Sequence, residues 1–269
     1  MRRLLFPALV LTLASTSPAL SHEFWIEPRD YRLDPGAPAV ARLYVGQRMT
    51  GISYFYNPAQ FARFDLVQGD RVVPVPGRVG DDPALDMVPP GPGLWTVVHQ
   101  TAPLEVFYRD WSKFVGFVEE KDFPGVLESH AARGLPETGF RESYTRFAKA
   151  LIAVGDGAGA DAEVGMLTEI VAETNPFADD LSGGMTLRVL YQGAPRAGVQ
   201  LELFARAADG GVEITRHRTD AAGRVTVPVR PGVEYLADAV VMRPLPNDDP
   251  GAGPVWESLW AALTFRVPG

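Results

Sequence analysis

The histidines His22, His99, His130 and His217, with the carboxylates Glu23 and Glu27, are the residues of this chain whose types and spacing could do chemistry, and that chemistry is metal ligation. His22 comes first because it follows a segment, Met1 to Ser21, that reads as a removable export signal. Cleavage after Ser21 would leave it as the amino-terminal residue, with a free α-amine and the near ring nitrogen closing one compact chelate. An α-amine titrates near ~7.7–8.0 and an imidazole near ~6.5, so binding displaces few protons at neutral pH. Such a nitrogen pair suits nickel, cobalt, copper and zinc, with copper(II) intrinsically strongest. A cut before Ser21 would instead place the imidazole at the second position and bring a backbone amide into the chelate.

Further ligands are needed to complete a site. His99, at the end of an expected strand from Leu94 to His99, is the best second candidate, and His130, in an expected helix, is another. Glu23 and Glu27 could add oxygen donors, because residues four apart in a strand share a face. His217 stands between Arg216 and Arg218, which disfavour a cation, and reads as a surface histidine. Catalytic patterns are thin. The chain has no Gly-x-Ser-x-Gly elbow, no His-Glu-x-x-His, no phosphate-binding glycine loop and no cysteine nucleophile, so binding and handover are expected rather than turnover.

The export reading rests on three adjoining stretches. Arg2 and Arg3 supply the positive start, Leu4 to Ala14 an apolar run, and Ser15 to Ser21 a small-residue tail with Ala19 and Ser21 at the positions signal peptidase prefers. The apolar run is too short to span a bilayer, and no later stretch approaches that length without charge or proline. A soluble periplasmic or secreted protein is therefore expected, with no transmembrane segment after cleavage. Its formal charge of −8 becomes −10 when the two arginines leave, a surface that repels nucleic acid and tolerates cations. With no cysteine in the chain, stability cannot come from disulfides.

The elements that must position these residues are mainly strands. From Phe24 to about Val106, short apolar runs such as Val40 to Val45, Phe61 to Val67, Val72 to Val75 and Leu94 to His99 are separated by Pro, Gly and Asp clusters, the punctuation of an antiparallel β-domain. Asp81 to Pro92 reads as a turn-rich loop. Helical spacing follows, with one helix around Trp111, Phe114, Val115 and Val118, a second from Pro124 to Arg133, and a third from Arg141 into Ala150. Strand candidates then recur at Met185 to Tyr191, Val199 to Ala205, Val225 to Val229, Glu234 to Val241 and Leu259 to Val267. The expected fold class is mainly β: two β-sandwich units, immunoglobulin-like or transthyretin-like, with a few short helices between them. The units are expected at residues 22–160 and 161–269, after the signal at 1–21.

The stretches His22 to Pro28, Tyr44-Val45-Gly46, Tyr144 to Ile152 and Trp256 to Phe265 together resemble a bacterial periplasmic family that carries a conserved domain of unknown function. Its members are often labelled nickel uptake transporter family proteins. Gly193 to Ala237, with Thr219-Asp220-Ala221-Ala222-Gly223-Arg224, also resembles the carboxypeptidase-regulatory-like or transthyretin-like sandwich. The first resemblance implies a divalent transition-metal ion, nickel or cobalt, as cofactor and a metal-uptake membrane transporter as partner. Many relatives place a histidine just before the methionine of Val240-Val241-Met242, where this chain has Val241. Two other readings stand beside this one: a non-catalytic structural or interaction β-module, and a copper carrier or oxidative enzyme built on an amino-terminal histidine brace.

Overall fold

The computed structural model describes residues 23–269. The expected signal segment, residues 1–21, and His22 lie outside them. The first strands are β1 (Glu23–Pro28), β2 (Arg32–Leu33), β3 (Ala39–Gln47) and β4 (Thr50–Tyr54). After a 3-10 turn at Pro58–Gln60 come β5 (Phe61–Gln68), β6 (Arg71–Pro74), β7 (Leu85–Met87), β8 (Gly93–Thr101) and β9 (Leu104–Tyr108). Two helices follow, α1 (Trp111–Glu120) and α2 (Val126–Ala132), then the long β10 (Phe140–Val154) and β11 (Thr168–Ala172). The remainder is β12 (Met185–Tyr191), β13 (Ala194–Pro195), β14 (Gln200–Arg206), β15 (Val212–Arg218), β16 (Arg224–Val227), β17 (Glu234–Pro244) and β18 (Trp256–Arg266).

These strands make three layers. The central layer is a ten-stranded sheet in the order β15-β14-β17-β18-β10-β8-β5-β6, with β2 and β9 also paired to β10. A front layer of β1, β3, β4 and β7 and a back layer of β11, β12, β13 and β16 are each four-stranded. Alternation along the central strands supplies both interfaces. Ala148, Ala150 and Ile152 of β10, Leu236 of β17 and Ala262 of β18 pack with Phe24, Ile26, Ala41 and Leu43 of the front layer. Their neighbours Leu151, Tyr235, Ala237, Ala261 and Leu263 pack with Ile170, Leu187, Val189 and Val225 of the back layer. Where the front layer ends, the helices take over: Phe114, Phe117 and Val118 of α1 cover Val240, Trp256 and Trp260. The expected mainly-β sandwich architecture is what the chain adopts. Strands from both sides of residue 160 share the central sheet, joined where β10 runs parallel to β18 from Glu142↔Trp256 to Ala150↔Thr264.

One expected helix is not a helix. Residues 141–150 lie in β10, which is buried on both faces for most of its length. A strand covered on both sides reads as a continuous apolar run, so Tyr144, Phe147 and Leu151 matched helical spacing by coincidence. The stretch 81–92 likewise contains β7, whose Leu85 to Met87 pair with β3. Strand β11 went unread because all five of its residues are buried and show no alternation, and β15 because it is a half-exposed edge strand carrying Glu213, Thr215, Arg216, His217 and Arg218. The two other helices form where expected, and α1 starts at Asp110, whose carboxylate accepts the Ser112 N–H at 2.9 Å.

Candidate functional site

Residues 142, 144 and 146 of β10 point to the front of the central sheet, in the same direction as Ser258 and Trp260 of β18. At this end of the sheet α1 packs on β18, with Phe117 stacked on Trp260 at 5.3 Å, and β9 pairs with the start of β10. The result is a cleft of about 420 Å³. Phe107, Tyr108 and Lys113 stand on its walls, and Glu142, Tyr144, Arg146 and Trp260 line it from the sheet. Beneath them the Tyr108 hydroxyl donates to Glu142 Oε2 at 2.7 Å, the Ser258 hydroxyl donates to Glu142 Oε1, and Trp260 Nε1 donates to Ser258 Oγ at 2.9 Å. Burial pushes the Glu142 carboxyl up to about 7, against the opposing effect of the two hydroxyl donors. The Arg146 guanidinium lies 4.8 Å from the centre of the Tyr144 ring and 5.7 Å from that of Phe24, a cation held against aromatic faces.

A second polar centre adjoins the cleft across Trp260. Lys121, just past the end of α1, lies 5.1 Å over the Trp260 ring. Its Nζ donates to Glu202 Oε2 at 2.6 Å and to Asp238 Oδ2 at 2.9 Å, with Glu23 Oε1 at 3.8 Å. Burial opposes the charge on Lys121, but the carboxylates of Asp238, Glu202 and Glu23 outweigh it and raise the pKa. Glu23 is 4% exposed and accepts the Arg48 N–H at 3.2 Å; burial pushes its carboxyl up to about 7, with Lys121 opposing. Three carboxylates thus converge on one internal ammonium, which neutralises part of their buried charge.

Of the residues expected to share a metal site, the described ones, Glu23, Glu27, His99 and His130, are kept apart. Glu27 accepts Trp25 Nε1–H at 2.9 Å and pairs with Arg206 at 2.7 Å. It lies ~13 Å along β1 from Glu23, at about 3.3 Å per residue, too far for one ion. His99 sits among Phe24, Phe61 and Phe64, with ring centres 5.2, 4.4 and 5.1 Å away. Because Phe24 and Glu23 are neighbours on a strand, His99 is on the opposite face of β1 from the Glu23 carboxyl. Neither His99 nitrogen has a hydrogen-bond partner, and burial pushes the imidazole down to about 3. His130, the other expected ligand, is held inside the helical cover. Its Nδ1 accepts Trp256 Nε1–H at 3.0 Å, and its Nε2 lies 3.1 Å from the Pro136 carbonyl, so both ring nitrogens are used inside the helical cover. His217 is half-buried, with Nε2 2.8 Å from the Thr215 hydroxyl. Among the described residues no group of three or more His, Asp or Glu side chains could hold a metal ion.

Sequence reasoning passed over Lys121, Glu142, Arg146, Glu202, Asp238 and Ser258. The signal was present in part: Glu142, Tyr144 and Arg146 recur at a spacing of two, which puts them on one face of a strand. Their convergence with Ser258 depends on strand pairing across more than a hundred residues, which no local pattern carries.

A family model described as "Domain of unknown function (DUF4198)" matches residues 19–243. No curated protein matches the chain. Among solved structures, a crystal structure of a tetra-tandem repeat in the extending region of a large adhesion protein is 11% identical with a TM-score of 0.22. The match covers 91% of this chain and 49% of that one, so the chain spans about half its length.

Proposed function

The chain belongs to the DUF4198 family, and from the geometry around β1 we propose that it is a periplasmic binding protein that captures a divalent transition-metal ion, nickel or cobalt, at its processed amino terminus and passes it to a membrane uptake transporter. The observation that supports this reading is how firmly β1 begins. Glu23 pairs with Gly46, the register continues to Pro28↔Ala41, and the Glu23 side chain is anchored between Lys121 and the Arg48 N–H. Cleavage after Ser21 would therefore leave one residue ahead of a fixed strand instead of a long frayed tail. The α-amine and imidazole of His22 would be the protein's nitrogen donors, with the remaining coordination positions open. A site with few protein ligands exchanges its ion readily, as handover requires. The nickel or cobalt implied by the resemblance of the sequence stretches fits this donor type, and two nitrogens do not by themselves select nickel over copper.

Calorimetric titration of the exported, sequenced protein with nickel, cobalt, copper and zinc tests this. One ion is expected to bind, the affinity falling below about pH 8 as the α-amine protonates and more steeply below about 6.5 as the imidazole follows. His22→Ala should abolish it, as should one additional residue ahead of His22. Absence of binding, or binding unchanged in His22→Ala, would sink the proposal and leave an interaction module, for which the cleft is the available recess. A copper brace needs a second accessible imidazole. His99 is sealed among aromatic rings and His130 has both nitrogens in use, so the described residues favour the single-histidine site.

A further inference from the structure

On the back of the central sheet, away from the cleft, a lysine, an aspartate and a glutamate meet in the dry interior. Lys149 of β10 is flanked on its own face by Phe147 and Leu151, and its side chain is 0% exposed. Its Nζ lies 2.7 Å from Asp161 Oδ2 and 3.8 Å from Glu169 Oε2, and it also donates to the Ala162 carbonyl at 3.1 Å. Asp161 is held from both sides. Its Oδ1 accepts the Thr96 hydroxyl at 2.9 Å and its Oδ2 the Ala172 N–H at 2.9 Å. Glu169 is fixed by the Gly165 N–H on Oε1 at 3.1 Å and the Val164 N–H on Oε2 at 3.0 Å.

We propose that Lys149 and Asp161 condense to an intramolecular amide, with Glu169 as the proton carrier, so that the β10–β11 connection is closed by a covalent bond.

The geometry supplies each part of such a step. A buried ammonium and carboxylate give up strong hydration, and a neutral amide removes both charges from the interior. Glu169 takes a proton from the Lys149 ammonium, freeing the amine to attack Cγ of Asp161. The Nζ–Cγ bond forms as the Cγ–Oδ2 bond breaks. Oδ2 departs with the two protons lost by the ammonium, which Glu169 relays, as one water. The charges of +1 and −1 cancel, and neither oxidant nor reductant is required. Oδ1 stays as the amide oxygen, and the Thr96 hydroxyl already donating to it stabilises the negative charge that develops there during attack. Burial raises the pKa of the Glu169 carboxyl, against the Val164 N–H and Lys149, which suits a group that must hold a proton in transit. In a chain with no cysteine, such a bond is a cross-link that needs no disulfide.

Mass spectrometry of the full exported protein, matched to its sequenced amino terminus, tests this directly. The intact mass is expected to fall short of the sequence mass by one water. After denaturation Lys149 should resist trypsin and amine acetylation, and should appear in a branched peptide with the Asp161 segment. Glu169→Gln and Asp161→Ala should each restore the full mass. Asp161→Asn should lose one ammonia in place of one water, because the leaving group changes. A wild-type mass with no deficit overturns the proposal without reference to any variant. So does a deficit accompanied by a freely acetylated Lys149, which would mark cyclisation at an aspartate in place of a cross-link.

Discussion

Glu142 shows how one side chain can report on the cleft. Its ordinary carboxyl value of 4.5 is pushed up to about 7 by burial, so the folded protein binds a proton that the unfolded chain releases. Its contribution to stability is complete below about 4.5 and is lost as the pH rises through about 7. At ~1.4 kcal/mol per pKa unit the loss is on the order of 3 kcal/mol. Glu142→Gln keeps a neutral side chain at every pH, so urea unfolding of the variant is expected to show a flatter decline between these limits than the parent. Equal slopes would mean that Glu142 ionises in the native state as freely as in the unfolded one. His99 acts in the opposite direction, since its value is pushed down to about 3 and stability is lost as the pH falls below 6.5. The kind of residue that could bind metal was legible in the sequence. Whether each one has a free lone pair was not, because that depends on partners such as Trp256 and Pro136 that only folding brings to His130.

At the scale of elements, the β3–β4 hairpin connects turn chemistry to the chain start. Arg48 and Met49 both adopt positive φ, 52° and 54°, and the Arg48 N–H is thereby turned toward the Glu23 carboxyl. The strands leaving this turn approach closely at Gly46 and Gly51, which are paired. A Cβ on Gly46 would meet the Thr50 carbonyl oxygen at 2.0 Å, a backbone atom that cannot move without opening the hairpin. Gly46→Ala is expected to lower stability by about 2 kcal/mol or more and to speed proteolysis around Gln47 to Thr50. Unchanged cleavage would show that the hairpin absorbs the methyl. Most strands could be read from punctuation by Pro, Gly and Asp. The exception of consequence, β10, failed because burial on both faces erases the alternation that distinguishes a strand from a helix.

Across the whole molecule, Lys121 joins parts remote in sequence: it follows α1, and its ammonium meets carboxylates from β1, β14 and β17. Lys121→Met would leave Glu23 and Asp238 buried without this cation and Glu202 with Arg216 alone, and a loss of about 3–5 kcal/mol in unfolding free energy is expected. Adding Glu202→Gln and Asp238→Asn should recover much of it, and no recovery would assign the loss to packing over Trp260. Composition, the absence of cysteine, the mainly-β class and the family's sequence stretches were determined by the sequence alone, because each is a property of residue types and short spacings. The tertiary structure alone decided that β10 and β18 run side by side as parallel neighbours at the middle of a sheet fed from both halves of the chain. That pairing gathers Glu142, Arg146, Ser258 and Trp260 at one recess and sets Lys149 against Asp161 behind it. The physical reason is that strand pairing acts between residues more than a hundred positions apart, while the patterns readable in a sequence extend over only a few.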